Sequence, residues 1–172
     1  MADDTVLLRA DDDPGTVKRD RANGTITPGD VIELGGVNTA GASTERNFTR
    51  VSTDAAGGPF RVALVYTTAG REKSDDYEAG DELRYLPLET GDEFDGFVFG
   101  GGNAGGAGTD VSGNANISTG DKLVTYSGGG QDGTLRAYDS ANDDAGSIVG
   151  VALEDVDNSG GSDPARIEVE AV

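Results

Sequence analysis

The apolar residues of this chain come in short runs, each cut off by glycine, aspartate, asparagine or serine, and none is long enough for a globular helix. The pattern is clearest in 117–153 and 165–172. There Lys122–Tyr126, 135–138, 148–153 and 167–169 are each about the length of a strand. In the last segment Ile167 and Val169 alternate with Arg166, Glu168 and Glu170, the period of a strand with one buried face. The chain reads as all-β: an antiparallel β-barrel or sandwich with short strands and long glycine-rich loops.

One phrase recurs. A Gly-Asp pair stands before an apolar run at Gly29-Asp30, Gly80-Asp81, Gly91-Asp92 and Gly120-Asp121. Glycine reaches the positive φ that a tight turn needs, and aspartate bonds nearby backbone amides. The irregular spacing excludes a solenoid period. The copies mark recurrent corners of one barrel or sandwich, compatible with a weak internal duplication.

Residues 1–25 read as an extended N-terminal arm. It carries one apolar pulse, Val6, Leu7 and Leu8, then a charged stretch with Arg19 and Arg21. The expectation is a strand docking on a neighbouring subunit or a sheet edge. Residues 26–172 read as the β domain. An internal boundary is expected near the glycine-rich loop 100–113, which would set off a C-terminal β-unit at 114–172.

Charge and composition narrow the function. Asp and Glu number 32 against 13 Lys and Arg, a formal net charge of −19. That fits a protein built for concentrated salt, where the Debye length shrinks to about 3 Å at 1 M. It argues against nucleic acid, which requires a basic stripe. Val, Leu, Ile and Phe together make only 35 of 172 residues, a thin core that association of subunits would reinforce. No apolar run approaches the ~18 residues of a spanning helix, so no membrane partner is expected. Asp3 and Asp4 make the start unlike a signal peptide, and the expectation is a protein made and used without secretion.

The chain has no Cys, His or Trp, which removes thiolate and imidazole chemistry. No base is available to activate Ser or Thr, so no enzymatic activity is expected and no catalytic residue is assigned. The run from Gly100 to Gly105 matches G-x-G-x-x-G, but the following AGTDVSGNAN cannot open a helix, so no dinucleotide cofactor is expected. Asp155, Asp157 and Ser159, with Gly160, resemble the start of a calcium loop. Its twelfth position, where a bidentate Glu should stand, is Arg166, and a polar turn is the better reading. Acidic pairs such as Asp75/Asp76 and Asp143/Asp144 read as solvated surface.

The phrases GDKLVTYSGG, GTLRAYDSA, GSIVGVALED and ARIEVE resemble the small capsid-decoration (cement) proteins of tailed viruses, most specifically at Val149-Gly150-Val151-Ala152-Leu153-Glu154-Asp155. The resemblance covers about 117–172 well and 26–34 loosely, and the intervening acidic stretch points to a haloarchaeal virus. It implies a non-enzymatic β-barrel, assembled in the host cytoplasm and carried on the outer surface of an HK97-type icosahedral capsid. The implied partners are sister copies, as a homotrimer at local threefold positions, and the major capsid protein. Val6, Leu7, Leu8, Arg19 and Arg21 are then the candidate contacts. The alternatives are a turret, fibre or tail component of the same virus, or a host β-module binding a cation or glycan.

Overall fold

The computed structural model describes residues 7–9, 17–37, 46–65, 72, 74–103 and 112–172. Among them the chain is almost all β. Helix among the described residues is confined to single 3₁₀ turns at Gly101–Asn103, Ser112–Ala115 and Ala145–Ser147. The strands are β1 (Leu7–Arg9), β2 (Lys18–Ala22), β3 (Val31–Val37), β4 (Arg46–Arg50), β5 (Arg61–Ala63), β6 (Glu82–Pro87), β7 (Glu93–Val98), β8 (Asn116–Ile117), β9 (Lys122–Tyr126), β10 (Thr134–Ala137), β11 (Ile148–Ala152), β12 (Val156–Asp157) and β13 (Ala165–Ala171).

These strands close two barrels rather than one. The first is the ring β2-β4-β3-β5-β6. The second runs β7-β10-β9-β11-β13 and returns to β7, with β1 added on the outer edge of β7. Both rings share one connectivity. Counting strands within each unit, the first pairs parallel with the third, and every other pairing is antiparallel, through the second, fourth and fifth and back to the first. A small outrigger repeats as well. Ile26 bridges Tyr77 in the first unit, and Ile117 pairs with Val156 in the second. Ile26 and Ile117 each stand five residues before the unit's second strand. The chain is a tandem duplication of one five-stranded barrel.

The Gly-Asp phrases are the corners of both copies, and all four are built alike. The glycine takes φ between 91° and 106°, and the Asp amide closes a tight turn onto the carbonyl three residues back. The Asp Oδ2 accepts the amide N–H at that same position, from Thr27, Glu78, Glu89 and Ser118, at 2.8–3.0 Å. Each turn then clasps a buried alanine at the end of another strand. The turn glycine donates to the alanine carbonyl, and the alanine N–H donates to the Asp carbonyl, all at 2.8–3.0 Å. The alanines are Ala63, Ala22, Ala171 and Ala152, each at most 2 % exposed. A larger side chain there would have no room in a closed barrel.

The change of barrel falls between β6 and β7, at 88–92. The second unit therefore begins with Glu93, not with residue 114, and the described ends of the glycine-rich stretch lie within it, between β7 and β9. Lys18–Ala22 is a full barrel strand, so the expected arm of 1–25 cannot extend past residue 17. Composition marked loops, but strand pairing sets the units.

Barrel one holds its own core, in which Ile26, Ile32, Phe48, Tyr77, Leu83 and Tyr85 are buried. Phe48 and Tyr85 meet at 4.5 Å between ring centroids. The larger core runs from the outer side of barrel one (Val31, Val51, Val62, Leu86) into barrel two (Phe94, Leu123, Leu135, Ile167, Val169). Burial of a large aliphatic or aromatic side chain is worth about 1.5–3 kcal/mol, so this shared core fixes the barrels against each other. Gly150, in the segment that carried the sequence resemblance, lies where a Cβ would stand 2.5 Å from the Glu170 carbonyl of β13. Only glycine permits that approach of β11 and β13.

Candidate functional site

Where the barrels meet, a polar cleft of about 430 Å³ opens, lined by residues that include Thr27, Asp30, Arg50, Phe97, Gln131 and Asp163. Its floor begins at the corner before β3. Asp30 is 3 % exposed. Its Oδ2 accepts the Thr27 N–H at 2.8 Å, and among the described residues no donor reaches Oδ1. Burial pushes its carboxyl up to about 7; the Thr27 hydrogen bond and the charges of Arg50 and Arg166 oppose that rise, while Asp76 adds to it.

Arg166 of β13 reaches over from the second barrel. Its guanidinium carbon lies 3.9 Å from the centroid of the Phe97 ring, and Nη1 donates to the Asp95 carbonyl at 3.5 Å. Nη1 also rests on Gly29, where a Cβ would collide with it and would stand 2.7 Å from the Asp95 carbonyl. The corner glycine thus serves the seam as well as the turn. Desolvation lowers the Arg166 guanidinium to about 10, against the pull of Asp30.

Two amide side chains hold the walls. Gln131 clasps the Gly100 backbone from both sides: Gly100 N–H donates to Oε1 at 2.6 Å, and Nε2 donates to the Gly100 carbonyl at 3.3 Å. The Thr134 hydroxyl donates to the Gln131 carbonyl at 2.7 Å. On the other side Asn158 Nδ2 donates to the carbonyls of Phe99 and Asp163, at 3.0 and 2.9 Å, tying loop 159–164 to the end of β7. The cleft is therefore preformed rather than shaped by its occupant.

Residues expected to act from the sequence lie elsewhere. Asp155 Oδ1 accepts both the amide and the hydroxyl of Thr119, and Asp157 Oδ1 accepts both from Ser159. These bonds hold both carboxyls below the usual range. The would-be calcium positions are turn-forming groups, and the useful member of that run is Asn158. Among the described residues no three acidic side chains gather to hold a metal. Arg19 pairs with Glu82 at 3.6 Å and Arg21 Nη1 donates to the Gly80 carbonyl, both on β2 of the first barrel. Leu7 and Leu8 lie in β1, paired with β7 of the same chain, and Val6 lies outside the described residues.

One member of the Asp143/Asp144 pair, Asp143, departs from the expectation of solvated surface. Asp143 and Asp54 both grip Arg136, whose guanidinium makes four side-chain hydrogen bonds of 2.7–3.0 Å to them. The side chains of Arg136 and Asp143 are each 4 % exposed. The Arg136 bonds pull the Asp143 carboxyl down. Asp54 comes from the segment after β4 and Arg136 from β10, so this ion pair is a second rivet across the seam.

Together these features define an all-β protein of two tandem five-stranded barrels with a preformed polar cleft at their junction. The whole chain is similar to the crystal structure of the head fiber gp8.5 N base in bacteriophage phi29. The likeness covers 91 % of this chain and 92 % of that one, with a TM-score of 0.50 and 12 % sequence identity. At that identity the likeness is one of fold. No protein-family model and no curated protein matches the sequence.

Proposed function

We propose that this chain is a structural protein of a virion, carried on the outer surface of the head and without catalytic activity. The observation that carries the reading is the fold likeness, over 91 % of the chain, to a phage head-fibre base. The phrases within 117–172 that resemble capsid-decoration proteins favour the same reading. The build suits that role. Two barrels joined by a shared core and by the Arg136–Asp54 ion pair suit a body that transmits load, and multivalent attachment makes weak contacts sufficient.

The finer reading is a cement protein, a homotrimer at the local threefold positions of an HK97-type capsid of a haloarchaeal virus, with Val6, Leu7, Leu8, Arg19 and Arg21 as contacts to the capsid or to sister subunits. A fibre base is the second reading, favoured by the head-fibre neighbour. Cryo-EM of purified virions from the source virus tests both. Two-barrel density on the head in threefold clusters is the expected result, and density that continues into a shaft selects the fibre base. Virions that lack the chain altogether would overturn the proposal.

A further inference from the structure

We propose that the cleft between the barrels binds a neutral saccharide of one or two rings. The first support is charge. Among the lining residues Arg50 is offset by Asp163, and burial leaves Asp30 only partly ionised near neutral pH, so neither a phosphate nor an ammonium finds strong net attraction there. The second is the carboxyl group of Asp30. Thr27 N–H occupies its Oδ2, which leaves Oδ1, on a residue that lines the cleft, open to a donor from a ligand. A ligand hydroxyl supplies that hydrogen bond without importing a charge. The third is the wall. Phe97, half-buried, is held in place by the Arg166 guanidinium and gives an apolar surface beside hydrogen-bonding groups. A sugar ring combines the same two characters, a face of C–H bonds and a rim of hydroxyls.

Size and rigidity agree. About 430 Å³ lies within the range of small-molecule sites, roughly 300–1,000 Å³. The walls are tied by Gln131 to Gly100 and by Asn158 to loop 159–164 before any ligand arrives, which limits the ordering cost of binding.

The site rests on the cleft alone, so its test stands apart from the virion role. The isotope-labelled full chain is titrated by NMR with methyl glycosides of glucose, galactose, mannose and N-acetylglucosamine, and with lactose. At least one should give saturable shifts at Gly129, Gly130, Gln131, Ser162 and Asp163, with a Kd of about 1 mM, typical of a small rim of hydrogen bonds. Phe97→Leu, which keeps apolar bulk but loses the flat ring, should weaken binding about tenfold. Asp30→Asn keeps an acceptor for Thr27 and should weaken binding in the same direction. Four results would each overturn the proposal: no saturable shift with any sugar to about 20 mM, shifts confined to other surfaces, affinity unchanged in both variants, or inorganic phosphate or arginine binding at the cleft in place of the sugars.

Discussion

Asp30 carries two duties that pull against each other. As the corner residue it must accept the Thr27 N–H, yet the closing of the second barrel over it removes water from its carboxylate. The folded protein therefore binds a proton at Asp30 more tightly than the unfolded chain does, with a carboxyl near 7 against the ordinary 3.8. For a raised carboxyl the sign is fixed. Its stability contribution is whole below the unfolded value, declines as pH rises, and is lost above about 7. Three units correspond to at most about 4 kcal/mol. The value near 7 already contains the opposing charges of Arg50 and Arg166 and the added push of Asp76. Asp30→Asn should match the wild type in urea unfolding near pH 4 and exceed it by a few kcal/mol near pH 8; parallel stability profiles across that range would count against the account. By contrast Asp143, equally acidic in sequence, is held ionised by Arg136.

At the scale of elements, the four corners show how a thin set of apolar residues can close two barrels. Each corner spends one glycine, one aspartate and one buried alanine, and each satisfies the backbone groups at a strand end that would otherwise be orphaned. The first strand of each ring matters more than its composition suggests. β2 reads KRDRA, a charged run without the look of a core strand, yet it closes barrel one between β4 and β6 and buries Ala22. Two truncations separate the elements. Removing residues 1–10 takes away only β1, and both rings stay closed, so cooperative unfolding should persist with a small loss. Removing 1–23 opens barrel one, and the near-ultraviolet signal of buried Tyr77 and Tyr85 should collapse, a loss comparable with a domain's whole stability of about 5–15 kcal/mol. A folded 24–172 fragment would show that β2 is dispensable.

For the whole molecule, the dominant quantity is the net charge of −19. Self-repulsion of that size weakens a compact state in dilute buffer, and salt screens it. The melting temperature should rise by several degrees between about 0.1 M and 1 M KCl, and a flat profile would remove the halophilic reading. The described surface leaves little apolar area for self-association: among the larger hydrophobics only Leu34 and Val172 are more than half exposed. A trimer therefore needs polar contacts or the segments outside the described residues, and light scattering on the full chain and on 11–172 would separate the two.

The alternating runs and the Gly-Asp corners determined on their own that this chain is all-β with short strands, because side-chain period and turn chemistry are local properties. Even the duplication was faintly legible in the repeated corner. Other features were decided only by the tertiary structure. The glycine-rich stretch looked like a boundary, but the barrels change at 88–92, since a ring is closed by pairing between distant strands. Asp30, Phe97, Gln131 and Asp163 carry no common motif, and only the docking of one barrel on the other brings them to a single cleft. Burial then gives one aspartate among many a character that no position in a sequence records, because desolvation depends on what the rest of the chain places over it.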